Sequence, residues 1–515
     1  MQQKPRYYFW SPISFGTTVA GIHYIGQLND RSPSRIMIDQ LTDGQLQWSL
    51  MDDPYDVLVI GKTSNGRRYN MRVGTQEYTD ELKKAFPGEE RAIEGFMKLV
   101  TKVAGNIQHM AVLKFLPLPI ARFLCKTGLV SLFSPFFRYS SRNVTEVVSE
   151  FTKNKELQAV LSYIFGTYGV FPDKASFSLH SVLIDHYLRG AWYPTGGASE
   201  ITYHIVPTIV KAGGAVLSRA TVERILVNED KRACGVSVRG KGMDPVNIFA
   251  PIIISDAGIY NTYEKLLPPE LKSLPDIQSQ LRMVKHGKGG FSLFIGIKGT
   301  KEELNLPAKN YIYLPDSDLK KLEKTFYDAS ADEAPNHIPM LYISSPSAKD
   351  PTHEERCPGK STLTALTFAN YEWFEEWKNK KVQKRGQDYE SVKSGFAEAM
   401  LETTIQIFPQ IRDQIDCYTS GSPITNDHYL GASRGEFYGV DHDTARMNPE
   451  VVATMRPKTP IKGLYLTGQD IFLCGFAGAL GGAMMCASEI LGRNIFFDLI
   501  NLRRQILKKE AKKAD

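Results

Sequence analysis

No uninterrupted apolar run among the 515 residues reaches the roughly 18 that a membrane-spanning helix needs, so the sequence predicts a chain that does not cross a bilayer, though it can lie on one. Cysteine is scarce: six residues, at 125, 234, 357, 417, 474 and 486, form no C-x-x-C pair. That spacing argues against a disulfide framework, a thioredoxin motif or a zinc site, and predicts reduced, mostly buried thiols. The ten histidines are scattered without an H-E-x-x-H spacing, so no metal is expected. The net charge is only +6 and no basic stripe stands out, which excludes a nucleic-acid interface while remaining compatible with anionic lipid. A dinucleotide fold ordinarily opens with a strand, G-x-G-x-x-G, a helix and an acidic residue about twenty positions on, and that fingerprint is absent too. Its nearest decoy, YDVLVIGKTSNG from Tyr55, has Lys62 at the second glycine, and Asn65 and Gly66 between alternating runs predict a hairpin.

What is present is ordinary globular material, 42% hydrophobic and 23% charged, enough for two or three domains with real cores. The most informative stretch is GLYLTGQDIFLCGFAGALGGAMM, from Gly463 to Met485, a buried strand, a glycine turn and a small-residue helix start. Gly468 permits a sharp turn and Asp470 offers a carboxylate to sugar-like hydroxyls. Gly478, Ala479, Gly481, Gly482 and Ala483 keep side chains away from a close ligand. A helix opening there points N–H groups and a positive dipole end at a diphosphate. Tight helix packing is the competing explanation for the same residues.

Along the chain the pattern predicts an α/β protein, α+β overall, with an incomplete doubly wound sheet and an interleaved substrate domain. Residues 21–186 would form the first part of the substrate domain, 187–288 part of the cofactor domain, 289–455 the second substrate part and 456–492 the end of the cofactor domain. The flanks are an unmatched 1–20 and an amphipathic helix with a basic tail over 493–515. ATVERILV from Ala220 and APIIISDAG from Ala250 are expected as inner strands, the second buried on both faces. The segment from His109 to Ser141 is apolar and basic. It suits either a lipid interface, with Lys114, Arg122, Lys126 and Arg138 reaching head groups, or a buried hairpin lining an apolar cavity. The terminal KKAD fits a dilysine retrieval pattern, but a solvated lysine tail explains it as well.

The motifs GIHYIG, FLPLP, SYIFGTYGV, YPTGG, EWFEEW, GSPITNDHYL, YGVDHD and LYLTGQDIF resemble the phytoene desaturase-like flavoproteins, within them the retinol 13,14-reductase (retinol saturase) family, from about Gly21 to Arg503. The resemblance implies FAD as cofactor, NAD or NADP as electron source, saturation of the 13,14 double bond of all-trans-retinol, and the endoplasmic reticulum membrane as setting. Carried over by position, Gly468 and Asp470 would face the ribityl and diphosphate, with Gly478 and Ala479 nearby. Val222 would contact the adenine end through its backbone, and Gly196 and Gly197 would shape a turn beside the flavin. Tyr193, His428 and Tyr429 stand in family-like motifs as candidate proton donors. The family carries roughly a hundred residues before GIHYIG, with a targeting segment and the glycine fingerprint. The first twenty residues here do not match, so the sequence predicts poor FAD binding by this chain, as in an alternative or incomplete product. A carotenoid desaturase or isomerase and a non-catalytic retinoid-binding protein are the competing functions.

Overall fold

The computed structural model describes residues 25–26, 28, 32–63, 65–240 and 242–514. The opening twenty residues and most of GIHYIG lie outside them. Fifteen strands occur among the described residues: β1 (Ile25–Gly26), β2 (Trp48–Leu50), β3 (Asp56–Ile60), β4 (Arg67–Met71), β5 (Ala191–Pro194), β6 (Ala220–Val227), β7 (Ala233–Gly240), β8 (Val246–Phe249), β9 (Ile253–Ser255), β10 (Gly290–Lys298), β11 (Asn310–Leu314), β12 (Leu341–Ser344), β13 (Lys360–Phe368), β14 (Ile415–Gly421) and β15 (Leu464–Leu466).

Alternating apolar residues make β3 and β4 the expected hairpin about Asn65 and Gly66, with Asp56 opposite Met71 and Ile60 opposite Arg67. That hairpin forms one edge of a seven-stranded sheet, ordered β14-β10-β13-β12-β11-β3-β4. Its strands come from both sides of residues 187–288, so the two flanking stretches build one body. The β3–β11 pair is parallel and the rest antiparallel. Helices from residues 75–188 and the Gln387–Ile407 helix close a large core over this sheet. The helical pattern from Thr79 onward divides into Thr75–Ala85 and Glu90–Ala104 because Pro87 and Gly88 interrupt it.

A second, smaller core collects Ile225, Val236, Ile259, Leu464, Leu466 and Ile471. Here the expectation of inner strands needs correction. β6 belongs to a separate antiparallel sheet, β6-β7-β8, while β9 and β15 form a two-stranded parallel pair of their own. β9 is not buried on both faces: Ile254 is 43% exposed, because β15 covers it from one side only among the described residues. The Ser199–Lys211 helix forms as expected up to Gly213 despite Pro207. It buries Ile201 against Leu28, Ile38 and Leu46 rather than against the seven-stranded sheet, and leaves Val210 exposed.

Two further expectations are corrected. Cys357 and Cys417 are exposed, so the six thiols are free but not mostly buried. Lys114 cannot reach a head group: it is buried and its ammonium donates to the carbonyls of Val452, at 2.8 Å, and Met455. Burial and the nearby Arg446 and Arg456 hold it well below the usual lysine range.

The aromatic layer under the large sheet is the densest packing. Phe396 is fully buried, stacked on Phe291 at 5.1 Å and flanked by Trp373 at 5.8 Å and Phe374 at 6.1 Å. Phe396→Ala should cost about 3–5 kcal/mol through lost transfer energy and the cavity left behind, read as a lowered urea midpoint with unchanged far-ultraviolet dichroism.

Candidate active site

β9 and β15 pair in parallel, Ile253 opposite Leu464 and Ser255 opposite Leu466. Their carboxyl ends therefore deliver two turns to one place, the position where open α/β sheets bind ligands. The first turn carries Asp256 and Gly258, the second Gly468, Gln469 and Asp470. Gly468 has φ +85°, and any Cβ there would overlap the Asp256 carboxylate. The requirement for glycine is therefore met by the chain itself.

The same holds for much of the small-residue stretch. Its helix spans Gly475–Leu491. A Cβ on Gly478 would overlap the Leu473 carbonyl, on Gly481 the Phe472 ring, and on Gly482 the backbone of Gly468. Tight packing thus accounts for these three glycines, and Ala479 is half-buried beside them. Different features at the helix start fit a cofactor. Cys474, its N-cap, supplies no side-chain hydrogen bond, and Gly475, at φ +73°, has open space where a Cβ would stand. Nearby, the fully buried Arg446 donates from Nη2 to the Asp470 carbonyl at 2.8 Å, while its Nε and Nη1 have no partner among the described residues. Orphaned guanidinium donors beside an uncapped helix start match an acceptor-rich, anionic group. Burial lowers Arg446 to about 10, against the pull of Asp470 and Asp443.

Asp470 is only 6% exposed and both its oxygens are committed: Oδ2 accepts from Ile259 N–H at 2.9 Å and Oδ1 from Val440 N–H at 3.1 Å. Burial raises its carboxyl, opposed by those two amides and by Arg446 and His286. The sugar-facing carboxylate expected here is thus engaged in holding two chain segments together. Asp256, one strand away, is free of that duty and is pushed up to about 7, by burial first and by Asp470 second. Near Asp470, His286 Nδ1 and Glu436 Oε1 meet at 2.5 Å, with the imidazole stacked on Tyr260 at 3.7 Å. Burial is the largest influence on both members, lowering His286 to about 4 and raising Glu436.

A narrow apolar crevice opens next to this turn, lined by Gly166, Met340, Tyr342, Leu366, Thr367, Phe368, Phe437 and Tyr438. Its wall continues from Tyr438 into Gly439, where a Cβ would overlap Asp470 Oδ1, and then into Val440. A small apolar crevice, with about 10 Å³ of room for solvent, and the strand-end turn are therefore joined within two residues.

The other expected residues divide. Gly196 and Gly197, at φ +93° and +100°, make the turn after β5, where Gly196 N–H donates to Asp350 at 3.0 Å and Gly197 is open. Val222 lies half-buried on β6 opposite Val238, beside a bulge. Tyr193 is buried on β5 under the Lys349 ammonium, 5.8 Å from its ring. Burial and Asp350 raise its phenol. His428 and Tyr429 meet edge to face, 4.7 Å between ring centroids, on the exposed face of the Pro423–Leu430 helix and do not line the crevice. Sequence reasoning missed Asp256, Arg446, Tyr342 and Tyr438. A usable signal existed for the first, an acid directly after an apolar strand and two residues before a glycine.

Two parallel strand ends and a glycine turn make the ligand crevice of an open α/β sheet, in a fold shared with known oxidoreductases. Among solved structures, an oxidoreductase from Methanosarcina mazei aligns with a TM-score of 0.53 at 12% identity, over 90% of this chain and 86% of the other. Cyclohexylamine oxidase from Brevibacterium oxydans aligns with 0.53 at 14%, over 92% and 87%. No protein-family model matches the chain. Curated sequences are far nearer: all-trans-retinol 13,14-reductase of Danio rerio is 53% identical over 96% of this chain and 81% of its own length, and that of Homo sapiens 46% over 96% and 80%. A Danio rerio protein named inactive all-trans-retinol 13,14-reductase is 37% identical over 96% and 81%. The chain belongs to the all-trans-retinol 13,14-reductase family.

Asp256 yields a test of the electrostatics. Its folded carboxyl, near 7, holds a proton more tightly than the unfolded one, so the stability it contributes is full at acid pH and lost as pH rises through 7. Asp256→Asn lacks that loss. Its stability should match the native chain near pH 4 and exceed it increasingly up to about pH 7, levelling off above at about 1–3 kcal/mol after discounting for partial solvent access, read as a higher melting temperature.

Proposed function

We propose that this chain is an FAD-dependent oxidoreductase that saturates the 13,14 double bond of all-trans-retinol to give all-trans-13,14-dihydroretinol, with NADH or NADPH as electron source. The observation that carries the proposal is the junction of the apolar crevice with the β9/β15 turn through Tyr438, Gly439 and Asp470. Identity to the reductases named above supports the substrate. Gly468, Asp256, Arg446, the Gly475 helix start, Gly196, Gly197 and Val222 are the residues that would hold FAD. When bound, the flavin supplies hydride chemistry.

The chain's own contribution is alignment and dryness. Met340, Leu366, Phe368 and Phe437 form the apolar part of the crevice wall, which a polyene would part on entering and which would keep water from it. Proton-bearing groups on the wall are Thr367, Tyr342 and Tyr438. Thr367 is committed to the Met340 carbonyl at 2.7 Å and Tyr438 to that of Gly166 at 3.4 Å. Burial raises both phenols well above 10, which keeps them protonated at neutral pH.

Membrane contact belongs to the same proposal, at the endoplasmic reticulum. No single described helix is long and apolar enough to cross a bilayer. On one face, however, Phe123, Leu132 and Phe133 are 62%, 59% and 76% exposed, and Phe115 meets Phe496 of the Ile495–Ala514 helix at 5.7 Å, bringing the 65% exposed Phe497 alongside. Arg122, Lys126, Arg138, Arg503 and Arg504 belong to the same segments. Aromatic bodies with cationic neighbours suit a lipid interface.

The deciding measurement is purification with FAD followed by an assay for nicotinamide-dependent loss of all-trans-retinol. A yellow protein that consumes retinol supports the proposal. A colourless one that still quenches retinol fluorescence indicates a non-catalytic binder, and turnover of longer polyenes alone indicates a carotenoid enzyme. The double substitution Phe123→Asp, Phe133→Asp should reduce cosedimentation with anionic vesicles about tenfold while leaving the melting temperature unchanged, since both rings face solvent.

A further inference from the structure

After Gly492 the Ile495–Ala514 helix bends away from the small-residue helix by 112° and packs on the Pro33–Leu41 helix. Between these two helices lies a cavity of about 200 Å³, lined by Pro33, Leu499, Ile500, Arg503, Arg504 and Leu507. It is separate from the crevice and shares no lining residue with it.

The chemistry of the cavity is divided. Four of the described lining residues are apolar, the other two are arginines, and no carboxylate is among them. Pro33 is the first residue of its helix, whose opening turn carries no acid, so the positive end of that helix dipole opens on the same space. The acids on the two helices stand elsewhere. Asp39 pairs with Arg35 at 2.9 Å and Asp498 with Arg493 at 3.2 Å, while Glu510 lies beyond Leu507 and does not line the cavity.

Helical spacing carries the cavity into the aromatic face. Phe497, Ile500, Arg504 and Leu507 recur at the three- and four-residue steps that keep side chains on one side of a helix. Phe497 is 65% and Ile500 43% exposed, and the neighbouring Phe496 meets Phe115 at 5.7 Å. The arginines therefore stand at one end of a surface that is otherwise apolar.

An occupant has to be anionic where it meets the two guanidinium groups and apolar where it meets Leu499, Ile500 and Leu507. The space is smaller than the about 300–1,000 Å³ in which proteins enclose whole small ligands, so only part of such a molecule is held and the rest lies outside, along Ile500 and Phe497. A lipid anchored in a bilayer has that shape; a free inorganic anion does not. We propose that this cavity seats the head group of one anionic phospholipid, with Arg503 and Arg504 on its phosphate and its acyl chains passing Ile500 and Phe497 into the bilayer. This rests on the membrane contact proposed for the same face. It adds a preference for anionic lipid that resides in one cavity rather than in the basic tail at large.

The test is cosedimentation of the full chain with vesicles of phosphatidylcholine alone and of phosphatidylcholine mixed with phosphatidylserine. The native chain should prefer the mixed vesicles by about 30-fold or more. Arg503→Gln with Arg504→Gln should lower that preference about tenfold, and Lys508→Gln with Lys509→Gln, an equal loss of charge on the next turn, by no more than about threefold. Leu507→Trp fills the cavity without altering charge and should lower the preference about fivefold or more. Diffuse attraction to the tail would give equal losses in the two double variants and none in Leu507→Trp, and that result overturns the inference. Inorganic phosphate that abolishes the preference at constant ionic strength overturns it as well, because the site is then one for a free anion. Melting temperatures identify the folded variants; if the arginine pair is not among them, Leu507→Trp decides alone. A native chain that binds both vesicles equally overturns this inference only, and one that binds neither overturns the membrane reading with it.

Discussion

The Asp470 carboxylate, clamped between the amides of Ile259 and Val440, is the constraint on which the rest of the site depends. Ile259 follows the turn at the end of β9, and Val440 follows the crevice wall. One side chain thus fixes how far the slot stands from the strand ends. Each charge-assisted bond of this kind contributes about 1.5–3 kcal/mol. The geometric consequence exceeds the energetic one: if Asp470 were lost, two backbone donors would be stranded, Arg446 would lose its principal compensating charge, and Gly439 would lose the contact that brings Tyr438 to the turn. Gly468 and Gly482 complete the arrangement from the other side by letting two backbones and a carboxylate occupy space that any side chain would fill.

Local pattern was enough to read what is local. The β3–β4 hairpin, β10, β13 and the Gln387–Ile407 helix follow from alternation or helical spacing, because each is specified by residues within its own length. Pairing is not local, and there the sequence was less legible. ATVERILV forms a strand as expected, but its partner is the neighbouring β7, since a short connection favours an antiparallel hairpin over insertion beside β15. Asp470 was legible as a carboxylate in a glycine turn. Its partners were not, because Ile259 lies 211 residues away and contributes only an N–H, which no side-chain pattern records. Lys114 shows the converse error: in an apolar, acid-free helix it looked like a residue reaching for solvent, yet the Pro449–Thr454 helix docks on it and buries the ammonium against two carbonyls.

The crevice and the burial of Asp56 at the start of β3 were illegible for a further reason. Neither is a motif. Tyr342 belongs to the slot because β12 sits beside β13, and it feels Asp56 because β11 sits between β12 and β3. A single carboxylate at the start of a hairpin strand ordinarily faces solvent, and only the parallel docking of β11 onto β3 encloses this one.

The two buried acids, Asp470 in the strand-end turn and Asp56 at the start of β3, are satisfied by different kinds of partner. Asp470 has spent both oxygens on backbone amides, so its charge is matched by dipoles fixed at folding and is unavailable to a ligand. Asp56 accepts instead from side chains, the Asn310 amide and the Tyr163 phenol.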